Sequence, residues 1–349
     1  MGKSNQRLNE AEIEITMRCN LNCAGCYKWD PRLIGRELLV ENWKKAIDNL
    51  ENCGIMLVNL IGGEPTIFPK IEELIAYINS KPRIDYLLST NGLITESILL
   101  RLLKVGLKNV IVSVDGIFKK SEIQEKKYED RVYKSIVGLQ LLRRLKKKGI
   151  EELSANFTVI RDNIDQILPT YEVLVNEGFW FNLIPLQFLK YGLSEEYPIR
   201  LVDADRHKMA GILEKLMAIK KKPGNKIVNS VVFLRHFADF AIKQNFKCRE
   251  LRMLGITRNG KITYCVGQDG EIGKSEKFDV LTLTPKKLKE LLSWWSKDKI
   301  GGVCPGCTFT CRDRTNDFEY LEKPGDEKYR NFWFRYKQKL KDTPGVKGK

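Results

Sequence analysis

Three cysteines near the start of the chain have the spacing of a metal site. Cys19, Cys23 and Cys26 follow a C-x3-C-x2-C pattern, directly after a short β-rich run that ends at Thr16. Cysteine thiolates are the usual protein ligands of a 4Fe–4S cluster, and three of them leave one of its irons without a protein ligand. That iron can bind the amine and carboxylate of an amino acid. A zinc site is the alternative that the spacing leaves open, provided that a distant residue supplies the fourth ligand.

Five further cysteines form a second group late in the chain, and one cysteine stands alone. The second group is Cys248, Cys265, Cys304, Cys307 and Cys311. Met1–Asn9 is polar and lacks the apolar segment of a secretory signal, so we expect a cytoplasmic protein whose thiols stay reduced. Clustered cysteines in that setting indicate metal binding or redox chemistry rather than disulfides. Cys53, which stands alone, is expected to be a buried structural thiol.

A regular alternation of short β-rich runs and amphipathic helices must position the first group of cysteines. It predicts an α/β fold, an open partial (β/α)6 barrel of parallel strands. In such sheets, ligands bind beyond the carboxyl ends of the strands. The predicted strands are Ile13–Thr16, Met56–Ile61, Tyr86–Thr90, Asn109–Val114, Leu153–Ile160 and Trp180–Gln187, and the predicted helices are Val40–Asn52, Ile71–Asn79, Glu96–Val105, Val132–Lys148 and Ile164–Asn176.

The pattern changes after residue 190, which divides the 349-residue chain into regions. We expect the barrel over residues 10–190, a helical connector over 191–246 and a small cysteine-bearing module over 247–315. A helix and a loose tail are expected over 316–349. Within the cysteine-bearing module, Asn259-Gly260 between two apolar runs predicts a β-hairpin.

Four of the predicted barrel helices end one or two residues before a glycine, as expected for helix termini.

Motifs at the ends of three predicted strands resemble those of a known family. Gly62-Gly63-Glu64-Pro65 follows the second strand, Thr90-Asn91-Gly92 ends the third, and Ser113-Val114-Asp115-Gly116 ends the fourth. With the C-x3-C-x2-C pattern and the aromatic Tyr27 behind it, they resemble the signature of the radical S-adenosylmethionine (radical SAM) superfamily. The resemblance covers residues 12–190.

The resemblance implies a 4Fe–4S cluster on the first three cysteines, with S-adenosylmethionine chelated to its open iron. In that family an electron from the cluster cleaves the sulfonium, and a 5′-deoxyadenosyl radical takes a hydrogen atom from the substrate. The glycines would allow close backbone approach, Glu64 would suit the cofactor's ammonium, Ser113 would lie near the ribose and Arg131 near the carboxylate. The implied cofactor-binding residues are Tyr27, Gly62, Gly63, Glu64, Pro65, Thr90, Asn91, Ser113, Asp115 and Arg131.

The second group of cysteines is similar to the opening of the SPASM and twitch modules of the same superfamily. The resemblance implies an auxiliary 4Fe–4S cluster on Cys248, Cys265, Cys304 and Cys307. The chain has too few cysteines for a full SPASM module, so the shorter twitch form fits better. Cys311 is a candidate catalytic hydrogen-atom donor, an alternative cluster ligand or a packing residue. A zinc ribbon is the rival interpretation of the whole module.

The expected substrate follows from the resemblance and from charge. We expect a ribosomally made peptide that is crosslinked, oxidised or epimerised, with a small metabolite or nucleotide as the alternative. The formal charge of +16 favours an acidic partner, and RNA is supported by this charge alone. The resemblance also implies an electron donor such as flavodoxin or ferredoxin, and the chain has no apolar run long enough for a membrane span. The alternative that is not an enzyme is a zinc protein that binds nucleic acid. This alternative does not explain the Gly62–Pro65 motif.

Overall fold

The structure is a computed structural model that describes residues 8–23, 26, 36–117, 129–150, 152–186, 199–243, 253–263 and 278–297. Several sequence predictions fall outside these residues and stay predictions. They concern the expected C-terminal helix over 316–349 and the side chains of Tyr27, Cys248, Cys265, Cys304, Cys307 and Cys311.

A single sheet organises the described part of the chain. Its strand order is β6-β5-β4-β3-β2-β1-β7-β8. Every neighbouring pair from β6 to β7 is parallel, and only β7 and β8 pair antiparallel. The parallel α/β fold is therefore confirmed. The strands are β1 Glu10–Thr16, β2 Leu57–Gly62, β3 Asp85–Thr90, β4 Val110–Ser113, β5 Leu153–Val159, β6 Trp180–Pro185, β7 Met253–Ile256 and β8 Ile262–Thr263.

The helices follow the strands as the alternation predicted, with two local differences. An intervening 3-10 helix, Arg161–Gln166, delays α5 to Ile167, because the Asn163 side chain accepts a hydrogen bond from the Ile160 N–H at 2.8 Å. The sequence did not predict α8. The helices are α1 Val40–Asn52, α2 Ile71–Asn79, α3 Glu96–Lys104, α4 Glu129–Lys147, α5 Ile167–Asn176, α6 Arg206–Lys220, α7 Val231–Lys243 and α8 Pro285–Lys297.

The core lies between the sheet and its helices, and β1 shows how the sequence divides the two faces. Ala11, Ile13 and Ile15 alternate along the strand and belong to the main hydrophobic core. Side chains two residues apart on a strand share a face, so Glu10, Glu12 and Glu14 lie on the opposite side of the sheet. The outer face thus holds the helices, and β1 places three glutamates on the inner face. No helix in the described ranges is both long and apolar enough to cross a bilayer.

The predicted hairpin forms, and it extends the sheet of the barrel. Strands β7 and β8 flank Gly260, whose φ of +84° suits a glycine in the turn. Strand β7 pairs parallel with β1, from Glu10 opposite Met253 to Ile13 opposite Ile256. The open edge of β1 is thereby covered, which removes an unpaired row of backbone groups. The polypeptide beyond residue 247 therefore contributes directly to the sheet that carries the first cysteines.

Candidate functional site

The first cysteines lie on a loop at the carboxyl end of β1, where the sequence predicted a binding site. The side chains of Cys19, Cys23 and Cys26 are half-buried. The Cys26 N–H donates to the Cys23 carbonyl oxygen at 3.2 Å, which links the last two cysteines through their backbone. We call Met17–Cys26 the cysteine loop.

A carboxylate that the sequence analysis missed fixes the start of the cysteine loop. Glu37 Oε1 accepts hydrogen bonds from Thr16 Oγ1 at 2.6 Å and from the Met17 N–H at 2.9 Å. Its Oε2 pairs with the Arg18 guanidinium at 3.0 Å. Glu37 lies far from the loop in sequence, so no local pattern could have identified it.

The two glycines at the end of β2 pack against the end of β1 and the start of the cysteine loop. The Gly63 N–H donates to the Thr16 carbonyl oxygen and the Glu64 N–H to the Arg18 carbonyl oxygen, both at 2.7 Å. A Cβ atom on Gly62 would lie 2.1 Å from the Thr16 oxygen, and one on Gly63 would lie 2.1 Å from the Arg18 oxygen. Gly62 also has a φ of +144°. Close approach is therefore required here by the protein's own backbone, and close approach to a cofactor stays a prediction.

Glu64 joins the ends of β2 and β3 from a fully buried position. Its Oε1 accepts from the Thr66 N–H at 3.0 Å, Thr66 Oγ1 at 2.7 Å and Thr90 Oγ1 at 2.8 Å. Its Oε2 accepts from the Asn91 N–H at 2.7 Å. Burial raises the pKa of Glu64, although these donors oppose the rise. Pro65 begins the short 3-10 helix that Glu64 caps. The contacts of Glu64 with Thr66, Thr90 and Asn91 make it a brace between the ends of β2 and β3. Its expected contact with the ammonium of a cofactor stays a prediction.

Asn91 connects β3 to the cysteine loop. Its Nδ2 donates to Asn20 Oδ1 at 2.8 Å and lies 3.7 Å from Cys19 Sγ, within hydrogen-bonding range for sulfur. Asn20 in turn donates from Nδ2 to the Leu93 carbonyl oxygen at 2.8 Å. The Thr-Asn-Gly motif therefore contacts the first cysteine through a side chain.

A buried charge cluster lies beyond the end of β4. Asp115 Oδ2 accepts from Arg131 at 3.0 Å and from Lys134 Nζ at 2.6 Å, and the three side chains are at most 9% exposed. Asp115 Oδ1 also accepts from the Thr158 N–H at 2.8 Å. Burial disfavours the ionised carboxyl, but the charges of Lys134 and Arg131 outweigh it and lower the pKa of Asp115. Lys134 was not predicted from the sequence, although its i, i+3 spacing from Arg131 on α4 could have indicated that the two side chains are close.

The first turns of α4 reach the cysteine loop. Asp130 Oδ2 accepts a hydrogen bond from the Asn22 N–H at 2.7 Å. Burial raises the pKa of the Cys23 thiol, and the nearby charges of Lys134 and Arg131 oppose that rise. The structure therefore gathers the ends of β1, β2, β3 and β4 around one loop that carries three thiols.

The comparisons with known proteins agree with this geometry. Residues 13–174 match the radical SAM superfamily. This region of the chain is therefore a radical SAM domain. Residues 13–174 are accordingly called the radical SAM domain below, and a radical SAM domain implies a 4Fe–4S cluster and bound S-adenosylmethionine.

Two curated relatives and one solved structure illustrate the range of similar proteins. The chain is 32% identical over 165 residues to Fe-coproporphyrin III synthase of Methanosarcina barkeri, a match that spans 47% of this chain but only 40% of that enzyme. It is 28% identical over 284 residues to a probable GTP 3′,8-cyclase of Thermococcus kodakarensis, which covers 74% of this chain and 85% of the cyclase. Streptococcus suis SuiB bound to its precursor peptide SuiA has a similar fold, with a TM-score of 0.59, 16% identity, and 85% and 66% of the two chains covered.

The residues of the radical SAM domain fit the implied cluster. Each of the three loop thiols would bind a different iron, so their sulfurs need not converge on one point as the ligands of a single ion do. Within the described ranges, no group of three or more His, Cys, Asp or Glu side chains is arranged around a single ion position.

Two other predicted residues have a clear place in the structure. Ser113 is half-buried at the end of β4, opposite Asn156 of β5 in the register, and its proximity to a ribose stays a prediction. Cys53 ends α1 and packs partly buried against the main core. Burial raises the pKa of the Cys53 thiol to about 11, which suits an unreactive structural cysteine.

Proposed function

We propose that this radical SAM enzyme modifies a ribosomally made peptide by crosslinking, oxidation or epimerisation. The proposal includes an auxiliary 4Fe–4S cluster on Cys248, Cys265, Cys304 and Cys307, with Cys311 as a candidate hydrogen-atom donor. When bound, the first cluster and S-adenosylmethionine supply a 5′-deoxyadenosyl radical, which removes hydrogen from unactivated C–H bonds.

The observation that supports the radical chemistry is the bracing of the cysteine loop from several sides. The Gly63 and Glu64 N–H groups hold its backbone, Asn91 contacts Cys19, and Asp130 holds the Asn22 N–H. A loop held in this way presents its thiols in a fixed arrangement before any cluster binds, which reduces the entropy lost on binding. We propose that the fixed loop binds the cluster through Cys19, Cys23 and Cys26.

The charge cluster beside Cys23 supports a second part of the proposal. Asp115 offers one negative charge to two buried cations, Arg131 and Lys134. Positive charge at this place favours thiolate over thiol at Cys23 and attracts an anionic group on a ligand. We propose that Arg131 and Lys134 together orient the carboxylate of S-adenosylmethionine, with Asp115 holding both cations in place.

The inner face of the sheet bears on the substrate. The eight described strands contain no Lys or Arg, and the inner face of β1 carries Glu10, Glu12 and Glu14. Side-chain amides lie on the same face of β5 and β6, where Asn182 Nδ2 donates to Asn156 Oδ1 at 2.9 Å. Carboxylates and amides suit the amide groups of a peptide, whereas a triphosphate needs cations. This face therefore favours a peptide over the nucleotide of the GTP 3′,8-cyclase relatives, and SuiB offers a peptide-bound example of the fold.

The metal content of anaerobically purified protein tests the two clusters. We expect about eight irons and eight sulfides per chain, since each 4Fe–4S cluster holds four of each. About four irons with one zinc would replace the auxiliary cluster by a zinc site. Replacing Cys265 with Ala should lower the iron content to about one cluster, and unchanged iron would contradict the auxiliary assignment.

The cleavage of S-adenosylmethionine tests the first cluster. Formation of 5′-deoxyadenosine under a strong reductant should be abolished in Cys23→Ala and retained in Cys53→Ala, the matched cysteine outside the loop. Retained cleavage in Cys23→Ala would contradict the proposed ligand set.

Hydrogen transfer tests the substrate class. The enzyme is incubated with peptides from cells grown in deuterated medium, and deuterium is measured in the 5′-deoxyadenosine that forms. We expect transfer from the peptide fraction, and loss of transfer after exhaustive proteolysis. Transfer from the protease-resistant small-molecule fraction, or from deuterated GTP, would instead support the metabolite or nucleotide alternative.

A further inference from the structure

The side-chain amide of Asn91 donates toward the sulfur of Cys19, and its orientation is fixed by the rest of the motif. Asn91 Oδ1 accepts from the Leu93 N–H at 2.8 Å. The oxygen and nitrogen of an amide are interchangeable in shape, so the hydrogen-bond network decides which is which. Because the oxygen faces a backbone donor, the nitrogen must be the atom that lies 3.7 Å from Cys19 Sγ.

Asn91 is held in this position by protein contacts alone. Its own N–H donates to the buried Glu64 at 2.7 Å, and its Nδ2 donates to Asn20 Oδ1 at 2.8 Å. The next residue, Gly92, is also fixed, because its N–H donates to Thr90 Oγ1 at 3.1 Å. The side-chain amide cannot turn away from Cys19 without breaking its hydrogen bonds with the Leu93 N–H and Asn20 Oδ1. Its donor is therefore preorganised toward the sulfur.

We propose that Asn91 is a positioning residue that raises the reduction potential of the first cluster through its N–H···S hydrogen bond to Cys19. The inference rests on the proposed function, in which Cys19 ligates that cluster. Hydrogen bonds to cluster sulfurs are among the features that set the potential of an iron–sulfur centre. The bond stabilises the more negative, reduced state more than the oxidised state, since a donor binds more strongly to a more negative acceptor. No proton is transferred, and the cluster gains one electron from the external reductant.

The test is the one-electron reduction potential of the first cluster, measured on the anaerobic holoenzyme by a redox titration followed by electron paramagnetic resonance. The first cluster is recognised as the signal that changes when S-adenosylmethionine is added. Asn91→Ser keeps a short acceptor for the Leu93 N–H but removes the donor to Cys19. We expect its reduction equilibrium to fall about tenfold, which corresponds to a potential about 59 mV lower for one electron.

A second variant and a matched control keep the test specific. Asn91→Asp keeps the size of the side chain, removes the donor and adds a negative charge, so its potential should fall further than that of Asn91→Ser. Asn79→Ser is the control, because Asn79 is another asparagine whose amide donates hydrogen bonds, in its case to the Val105 and Gly106 carbonyl oxygens at 2.8 and 3.0 Å at the end of α2. Its potential should equal that of the unaltered protein.

The outcomes separate this inference from the function on which it rests. An unchanged potential in both Asn91 variants, with iron content retained, would overturn the role of Asn91 and leave the cluster assignment intact. An equal shift in Asn79→Ser would also overturn it, because the shift would then not arise from the contact with Cys19. Failure of the unaltered protein to show any signal that responds to S-adenosylmethionine would overturn the proposed function itself.

Discussion

Two buried carboxylates at the ends of strands on either side of β3 differ sharply in their surroundings. Glu64, after β2, accepts hydrogen bonds from two backbone N–H groups and two hydroxyls, all neutral. Asp115, after β4, accepts from Arg131 and Lys134, both positively charged. Burial raises the pKa of Glu64, whereas at Asp115 the two cations outweigh burial and lower the pKa.

The difference shows that burial alone does not determine the direction of the pKa shift or the role of a buried carboxyl group. Neutral donors orient the Glu64 carboxylate and bind two strand ends together, but they compensate burial only in part. Cations compensate burial at Asp115, and in return the carboxylate holds two positive charges beside Cys23. We therefore assign Glu64 a structural role, in which it holds two strand ends together, and Asp115 an electrostatic role, in which it holds two cations. The two roles predict different effects when the carboxylate is replaced by an amide.

Asp115→Asn should have the largest effect. It leaves Arg131 and Lys134 buried without their shared counter-ion, and breaking a buried ion pair on one side typically costs about 3–5 kcal/mol. The measurement is the free energy of unfolding from anaerobic urea titrations. A cost below about 1 kcal/mol would remove the electrostatic assignment.

A double variant sharpens this prediction. Adding Lys134→Met to Asp115→Asn removes one of the two stranded cations and replaces it with an apolar chain of similar length. The double variant should be more stable than Asp115→Asn alone, because uncompensated buried charge is the cost. The contact of Asp115 with Lys134 at 2.6 Å indicates that the two side chains are coupled. If the losses of unfolding free energy in the two single variants simply add up in the double variant, this coupling is contradicted.

Glu64→Gln should have an intermediate effect. A glutamine offers one acceptor oxygen and an NH2 group that faces donors, so at least one buried N–H loses its partner. The expected cost in unfolding free energy is about 1–3 kcal/mol. Glu73→Gln is the matched control, since Glu73 is 40% exposed and its change should stay within about 0.5 kcal/mol. Equal costs for the two variants would contradict the role of Glu64 as a brace.

Thr66→Val should have a smaller effect, because it removes one of the four donors to Glu64 and keeps the side-chain shape. The Thr66 N–H still donates to the carboxylate at 3.0 Å. A loss of about 1 kcal/mol in unfolding free energy is expected for one such hydrogen bond. A loss as large as that of Glu64→Gln would mean that the hydroxyl of Thr66, rather than the carboxylate, holds the strand ends.

The smallest effect concerns the pH dependence, and the two acids should show opposite signs. The folded pKa of Asp115 is lowered, so its stabilisation is present above about 3.8 and is lost as pH falls. The folded pKa of Glu64 is raised, so its contribution is full below about 4.5 and is lost as pH rises. The cost of Asp115→Asn should therefore shrink toward acid, and that of Glu64→Gln toward neutral pH. Urea titrations between about pH 3 and pH 8 measure the cost of each substitution in unfolding free energy. If both costs change in the same direction with pH, the opposite pKa shifts of the two acids are contradicted.

The sequence alone was sufficient for much of the fold and for placing the first cysteines and the motifs at the ends of strands. The bounds of α1 and α2 were predicted to the residue, because their apolar spacing and their flanking signals are local. The cysteine spacing and the motifs at the ends of β2, β3 and β4 identified the radical SAM domain for the same reason. Residues close in sequence follow the periodicity of their own element, so such patterns can be read without a structure.

Other features were decided only by tertiary structure. Glu37 clamps the cysteine loop from a distant part of the sequence, Lys134 shares Asp115 with Arg131, and the hairpin pairs with the edge of β1. The partners of Glu64, which make it a brace, also come from two separate strand ends. The chain determined which side chains carry the chemistry, but their contacts depend on how distant strands and helices meet, and no local pattern records that.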